Sequence, residues 1–347
     1  MSATNIIAQA NLELDKNIEL ICKNSLISLF AGAGGLDMGF HKAGFQTLWA
    51  NEFDKHIIPS YKNHFPNVAF DSRSITKVSN DEIPKAEGII GGPPCQSWSE
   101  AGAKRGVNDP RGKLFFEYIR ILEHIQPKFF VAENVSGILH SRNKEAFANI
   151  VKMFEEAGYD VFWKQLNASD YNVPQDRKRV FVVGFRKDLK VKFEFPQAKK
   201  DKKTLKDAIY DLKDMPLGRD SIISNHEITD TGYSSMFMSR NRVRSWDEQS
   251  YTVVAMDRQT PLHPQAPKML ATSEKDKRIF VPGMEHKYRR FSVRECARIQ
   301  TFPDNYKFIY SHPRNGYKMV GNAVPVNLAF AIAKQIKYYF DVQVSNS

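Results

Sequence analysis

Near its amino terminus the chain reads SLISLFAGAGGLDMGF over residues 25–40. The apolar residues at the start predict a buried strand, the glycines predict a turn, and the residues that follow predict the first turns of a helix. Glycine lets the backbone approach a ligand, and the start of a helix presents free N–H groups to it. The pattern predicts a nucleotide-type binding loop, although a purely structural turn has a similar sequence.

The residues after this loop narrow the class of ligand. A second predicted strand over residues 45–50 ends at Asn51 and Glu52, about the spacing at which an acid reaches ribose hydroxyls in dinucleotide folds. The glycine spacing does not match the dinucleotide fingerprint, and no lysine follows as in a phosphate-binding P-loop. A nucleoside without a pyrophosphate therefore fits best.

Cys95 lies in the sequence GGPPCQS, residues 91–97, directly after a short apolar run. A thiol at the mouth of a predicted strand suggests a nucleophile, whereas an isolated cysteine is often a small core residue. The polar segment 96–112 predicts a long loop that could close over a substrate. Cys22 and Cys296 have no comparable setting and are predicted to be structural.

A carboxylate ends another apolar run, which reads KFFVAENV over residues 128–135. The carboxyl ends of the strands line the ligand crevice in open α/β sheets, so Glu133, Glu52 and Cys95 are expected to converge there. Capping of the next helix is the alternative role for such an acid.

Arginines precede the last predicted strand of this region. Arg177 and Arg179 fall in QDRKR, residues 175–179, before the apolar run 180–185. Solvated surface charge is one interpretation of these residues, and contacts to a phosphate or a base are the other.

Predicted strands and helices alternate along the first half of the chain. The strands are centred near Leu26, Leu48, Ile89, Phe130, Phe162 and Val182. Residues 113–122 show the clearest helical periodicity, and the alternation predicts a largely parallel sheet flanked by helices. After Phe185, charge-rich sequence with frequent proline and glycine predicts a separate, irregular, mostly β lobe up to about Tyr288.

Composition bounds the class of protein. The chain has 347 residues and a formal net charge of +11, which is consistent with a polyanionic partner. Its three cysteines show no paired spacing, which indicates a reducing compartment. No apolar run is long enough to span a bilayer, and the N-terminus lacks the blocks of a signal peptide. A cytoplasmic enzyme without membrane attachment is expected.

Several motifs together resemble the ordered motif set of the C5-cytosine DNA methyltransferases. They are FAGAGG at 30–35, PPCQ at 93–96, ENV at 133–135, QDRKR at 175–179, RECARIQ at 294–300 and GNAVP at 321–325. Order and spacing both match, from about Ser25 to about Tyr339. Within the family, residues 237–244 and 262–267 are most similar to the bacterial restriction-modification methyltransferase that acts on GGCC.

The resemblance implies an α/β fold: a Rossmann-like S-adenosylmethionine-dependent methyltransferase domain with a smaller, irregular, mostly β target-recognition domain. It implies an N-terminal extension (1–24) and a catalytic and cofactor-binding domain (25–188). A target-recognition domain and hinge (189–311) and a C-terminal segment that returns to the catalytic domain (312–347) would follow.

The family's reaction is implied as well: a methyl group passes from S-adenosylmethionine to C5 of cytosine and leaves S-adenosylhomocysteine. Because C5 alone is too weak a nucleophile, Cys95 would attack C6 as a thiolate while Glu133 donates to N3. Arg177 and Arg179 would contact O2 of the base and neighbouring phosphate or acidic groups, and Asn134 would support the pocket. No metal site is implied.

One set of residues matches the family's cofactor pocket. It comprises Phe30, Gly32, Gly34, Gly35, Leu36, Glu52, Ser74, Ile75, Gly91, Pro93, Asn322 and Val324. Glu52 would bind the ribose. Ser74 stands where the family usually has an acid that contacts the adenine amino group. The largest effect expected from this difference is weaker binding of the cofactor, not its loss.

The implied substrate is double-stranded DNA, from which the target cytosine is flipped. The residues assigned to DNA are Gln96, Ser97, Arg240, Arg242, Arg244 and Arg258. Arg242 and Arg244 would point the same way from an extended strand and read guanines. The expected site is GGCC or a related palindrome. The enzyme is expected to be a monomer that works alongside a cognate restriction endonuclease.

Two other interpretations remain open from the sequence. The tRNA-acting branch of the family shares the catalytic motifs, but the long arginine-bearing lobe argues against it. A catalytically silent DNA-binding protein is the other, and the intact Cys95 and Glu133 argue against that.

Overall fold

The computed structural model describes residues 23–94, 110–219 and 221–341, with only the backbone of residues 110–112. Cys95, Gln96 and Ser97 lie outside these residues, as does most of the expected N-terminal extension.

A twisted sheet of seven strands forms the centre of the described structure. The strands are β1 (Ser25–Leu29), β2 (Gln46–Asn51), β3 (Ala69–Asp71), β4 (Gly88–Gly91), β5 (Phe129–Val135), β6 (Tyr159–Asn167) and β7 (Lys178–Arg186). They lie in the order β3-β2-β1-β4-β5-β7-β6. The first five strands pair in parallel, whereas β7 runs antiparallel to both β5 and β6. The predicted α/β fold with a largely parallel sheet is confirmed.

Helices cover both faces of the sheet. The α-helices of the described residues are α1 (Gly35–Lys42), α2 (Ile58–His64), α3 (Pro110–Ile125), α4 (Lys144–Glu156), α5 (Leu205–Ile209), α6 (Val293–Ile299), α7 (Pro313–Asn322) and α8 (Val326–Tyr339). Successive strand residues face opposite sides, so Phe129 packs with α1 and α8 while Phe130 packs with α3 and α4. In the described part of the chain, none of these helices combines the length and apolarity that a membrane crossing requires.

The loop after β1 turns through the left-handed region of backbone conformation. Phe30, Gly32 and Gly34 have φ angles of 53°, 56° and 72°. This conformation is costly for a phenylalanine and is typical of functional sites. At the next residue, a Cβ on Gly35 would lie 2.3 Å from the carbonyl oxygen of Val324. The missing side chain thus lets the C-terminal segment, and with it α8, pack directly on α1.

Residues 189–311 are irregular, as predicted, but contain little regular β structure. The strands described there are β8 (Leu270–Ala271) and β9 (Arg278–Ile279), which pair with each other. Side chains instead donate hydrogen bonds to many of the backbone carbonyl groups. Arg290, for example, donates to the carbonyl oxygens of Thr231 and Gly232 at 2.6 and 3.0 Å. The expectation of a mostly β lobe is therefore wrong for the described residues, because side-chain donors replace strand pairing.

A buried arginine joins this lobe and the C-terminal segment to the sheet. Arg177 immediately precedes β7 and is 1% exposed. Its guanidinium donates to the carbonyl oxygens of Val253, Gly321 and Ala323 at 2.8, 2.8 and 3.0 Å. Nearby, the N–H of Val253 donates to Oε1 of Gln175 at 2.8 Å. A buried carbonyl that loses its donor costs about 1–3 kcal/mol, so this junction stabilises the whole fold.

Replacement of Arg177 with methionine should lower the free energy of unfolding by about 3 kcal/mol or more, because buried carbonyls lose their charged donor. Chemical denaturation measures the change. The control is Arg186→Met on β7, where the arginine is partly exposed and paired with Asp188, and where a loss of at most about 1 kcal/mol is expected. Equal losses in the two variants would contradict the special role of Arg177.

Candidate active site

A cavity of about 460 Å³ opens at the carboxyl ends of β1, β2, β4 and β5. Residues that follow these strands form most of its wall, and residues 318 and 322–324 of the C-terminal segment close one side. Its volume is typical of a site for a small molecule. Glu52 and Glu133 both line this cavity, so the expected convergence of the two acids is found.

Most residues assigned to the cofactor pocket line the cavity. They are Phe30, Gly32, Gly35, Leu36, Glu52, Ser74, Ile75, Pro93, Asn322 and Val324. Gly34 and Gly91 are not in the wall. Gly34 precedes α1 and faces the ring of Phe65, whereas Gly91 is the last residue of β4 and packs against Leu29.

Backbone amides hold the Glu52 carboxylate at the cavity wall. Oε2 accepts from the N–H of Gly32 at 3.1 Å, and Oε1 accepts from the N–H of Asp54 at 2.9 Å. Burial raises the pKa of Glu52, and these amide bonds oppose the rise. A carboxylate accepts about four hydrogen bonds, so capacity remains for the hydroxyl groups of a ligand.

Three wall residues that carry an aromatic ring or a charge were missed in the sequence. Phe53 follows Glu52 and is 66% exposed, so it offers an aromatic face at the cavity. Asp54 and Lys318 both line the cavity and form an ion pair with Nζ and Oδ2 2.6 Å apart. Burial would raise the pKa of Asp54, but Lys318 holds it below its usual value. Phe53 could have been recognised from the sequence, because it directly follows the acid at the end of a predicted strand. The ion pair could not, because it joins residues 264 positions apart in the sequence.

The second acid is delivered by β5. Glu133 is buried, and its Oε1 lies 3.0 Å from Nε of Arg179. Burial raises the pKa of Glu133, and the positive charges of Arg179 and Arg177 oppose the rise. A Cβ on Gly92 would lie 3.1 Å from the other carboxylate oxygen. The carboxyl therefore lies against the segment that leads to Cys95, and it holds a proton more readily than a solvated acid does.

Asn134 holds the segment that leads to Cys95 through a hydrogen bond to its backbone. Its Nδ2 donates to the carbonyl oxygen of Pro93 at 3.0 Å, and its Oδ1 accepts from the N–H of Val135 at 2.9 Å. Pro93 stands two residues before Cys95. Asn134 thus sets the path of the chain toward the thiol rather than touching a ligand through a free amide.

The two arginines before and in β7 have different positions. Arg179 reaches Glu133 in the cavity wall. Arg177 is outside the wall, and its guanidinium is engaged by the three carbonyl groups of the junction. The structure gives Arg177 a supporting position behind the site, which differs from the expected contact with the base.

The sequence pattern of the C-5 cytosine-specific DNA methylases matches residues 24–338. The chain belongs to this family. It is therefore a DNA (cytosine-5-)-methyltransferase, as the motifs predicted.

Relatives of this methylase support the assignment over most of its length. It is 58% identical to the type II methyltransferase M.FnuDI of Fusobacterium nucleatum, over 90% of the chain and 94% of the relative. It is 54% identical to M.NgoPII of Neisseria gonorrhoeae, over 90% and 95%. A solved DNA modification methyltransferase from an E. coli prophage has the same fold, with a TM-score of 0.69 and 24% identity over 91% and 99% of the two chains.

Four arginines of the methylase's second lobe were assigned to DNA, and they differ in their partners. Arg240 and Arg258 are exposed. Nε of Arg242 donates to the backbone carbonyl oxygen of Phe237 at 2.9 Å, and its Nη2 donates to that of Met236 at 3.0 Å. Its Nη2 also lies 3.2 Å from Oε1 of Gln259, which adjoins Arg258. Arg242 therefore has no acidic partner among the described residues, and its guanidinium also lies over the ring of Phe237.

Arg244 has a different environment. Its Nη1 lies 3.2 Å from Glu248 and its Nη2 lies 3.4 Å from Asp176, and its guanidinium stacks over the ring of Tyr251. The expectation that Arg242 and Arg244 point the same way from a strand is not met, because the segment is irregular. Arg242 contacts backbone carbonyl groups, whereas Arg244 contacts two carboxylates.

Asn134→Ala should lower kcat for methyl transfer by about tenfold, because displacement of the segment that leads to Cys95 would misalign the reacting groups. KM for the DNA should change little. The matched control is Asn143→Ala, which removes a similar bond, 2.9 Å long, to the carbonyl oxygen of Gly137 outside the cavity. If both variants lose activity in proportion to their stability, Asn134 has no positioning role.

Proposed function

We propose that this methyltransferase uses S-adenosylmethionine to methylate one cytosine per strand in GGCC or a closely related palindrome. In a type II restriction-modification system, the product would protect DNA from the cognate endonuclease. The observation that carries the proposal is one cavity bordered by two acids, the partly buried Glu52 and the buried Glu133, next to the segment that leads to Cys95. The names of the type II relatives support the biological setting.

The donor set of the cavity fits S-adenosylmethionine. Glu52 would accept from the ribose hydroxyls, and Phe53 would stack on the adenine. Ser74 and Ile75 both line the cavity. The Ser74 hydroxyl, 2.9 Å from the Thr76 hydroxyl, and the backbone of Ile75 would hold the base. When bound, the cofactor supplies the electrophilic methyl group.

The residues at the end of β4 and β5 would activate the cytosine. The Cys95 thiolate forms a bond to C6, and the electron pair of the C5–C6 double bond moves toward N3, where Glu133 supplies a proton. C5 then carries the nucleophilic pair and takes the methyl group. Loss of the C5 proton to water re-forms the C5–C6 double bond and expels the Cys95 thiolate, and the proton on N3 returns to the Glu133 carboxylate. A buried Glu133 with a raised pKa favours this proton donation.

The position of Glu133 also supports base flipping. A stacked cytosine exposes neither face of C6, and an enzyme must extrude it to reach that atom. Glu133 is 9% exposed at the bottom of a cavity. A cytosine could meet this carboxyl only after it leaves the duplex.

For sequence readout we propose Arg240, Arg242 and Arg258. Arginine reads guanine O6 and N7 in the major groove. Arg240 and Arg258 are exposed, and Arg242 makes no ion pair among the described residues. Arg244, which faces two carboxylates, would instead hold the reading surface to the sheet.

Cys95→Ser should abolish methylation while duplex binding largely survives, because a serine hydroxyl is a far poorer nucleophile at neutral pH. DNA that contains 5-fluorocytosine should trap the wild-type protein covalently, since fluorine at C5 blocks the final elimination. Gel analysis under denaturing conditions detects the adduct. Adduct formation by the serine variant at the wild-type rate would remove Cys95 from the mechanism.

Glu52→Ala should raise KM for S-adenosylmethionine more than it lowers kcat, because a ribose contact is similar in the ground and transition states. Direct titration of the cofactor measures the loss of affinity. Glu82→Ala, which removes an exposed acid paired with Arg73, is the control and should bind normally. Wild-type cofactor affinity in Glu52→Ala would refute the ribose assignment.

Arg242→Ala and Arg258→Ala should each lose about 1–3 kcal/mol of discrimination at one base pair. Arg244→Ala should weaken methylation evenly across sequences. Methylation of a library of near-cognate duplexes at fixed ionic strength separates the patterns. An even loss for Arg242→Ala and Arg258→Ala would assign them to the DNA backbone, and efficient methylation of sites without the GGCC core would reject that specificity.

A further inference from the structure

A second cavity, of about 420 Å³, lies along the outer face of α8. Its wall includes Lys42 at the end of α1, residues 196, 197 and 199, and one side of α8. It shares no lining residue with the first cavity. Because α1 starts at Gly35 in the first cavity and ends at Lys42 in the second, the two lie at opposite ends of that helix, about 12 Å apart along its axis.

The wall of the second cavity is positively charged. Lys42, Lys199 and Lys334 line it, and no carboxylate does. Within the described residues, none of their ammonium groups lies within ion-pair distance of an acid. Other lysines on the same segments are paired: Lys202 with Asp170, and Lys337 with Asp341. The three lysines therefore leave a net positive charge in one concave site, which favours an anionic ligand.

Aromatic side chains accompany these lysines. Phe330, Lys334 and Tyr338 follow one another at intervals of four residues on α8, so they share one face of the helix. Tyr338 is 54% exposed, and the Lys42 ammonium lies 5.3 Å from the centroid of the Phe330 ring. Exposed rings beside cations are the combination with which proteins hold the bases and phosphates of single strands.

We propose that the second cavity is an accessory site for a nucleotide unit. Its lysines bind the phosphate and its aromatic side chains stack on the base. The unit is either a free nucleotide or one nucleotide of a single strand. The proposal does not depend on the DNA sequence that the enzyme methylates.

The test is equilibrium dialysis of the full chain with labelled thymidine 5′-monophosphate, inorganic phosphate and an octathymidylate, at low ionic strength. Saturable binding that weakens with salt is expected. Lys199→Gln/Lys334→Gln should weaken all three probes roughly fivefold or more. The control Lys192→Gln/Lys200→Gln, at exposed lysines outside the cavity wall, should not. Both double variants should still methylate duplex DNA.

A third variant tests the stacking. Tyr338→Ala should weaken the nucleotide but not inorganic phosphate. If Lys199→Gln/Lys334→Gln loses more affinity for the octathymidylate than for the monophosphate, the ligand is a single strand. If it loses the same affinity for both, the ligand is a free nucleotide. The absence of saturable binding to the wild-type chain, or equal losses in the two lysine double variants, would overturn the proposal.

Discussion

The guanidinium group of Arg177 connects parts of the chain that are far apart in sequence. It immediately precedes β7 and donates to the carbonyl oxygens of Val253 in the second lobe and of Gly321 and Ala323 in the C-terminal segment. The last two carbonyl groups flank Asn322, which lines the cavity. One buried side chain thus sets how the lobe, the sheet and the cavity wall meet. A buried arginine is tolerated there because backbone carbonyls replace water.

The active-site cavity keeps features that cost stability. Glu133 has a pKa above its ordinary value because it is buried. Since the folded carboxyl binds its proton more tightly than the unfolded one, its contribution to stability is present at low pH and declines as pH rises through the folded-state pKa. Phe30 adds a left-handed backbone conformation. Arg179 offsets part of the first cost. The result is a carboxyl that keeps its proton more readily than a solvated acid, as the proposed proton donation to cytosine requires.

Local sequence patterns predicted much of the fold and the site, and contacts between distant segments account for what they missed. Apolar runs located β1, β2, β4, β5, β6 and β7, but β3 has only three residues and no readable periodicity. The antiparallel direction of β7 could not be read from its own sequence, because it depends on how β7 pairs with β5 and β6. Glu52 and Glu133 were found because strand ends are local signals. The pair of Asp54 with Lys318 and the burial of Arg177 arise only after segments meet.

The central claim is that the cavity at the ends of β1, β2, β4 and β5 serves cytosine-C5 methylation of a specific duplex site. The most direct measurement is bisulfite sequencing of plasmid DNA after incubation with the purified chain and S-adenosylmethionine. The account predicts one protected cytosine per strand within GGCC or a closely related palindrome, and none without the cofactor. DNA with no protected cytosine, from protein shown to be folded, would contradict it.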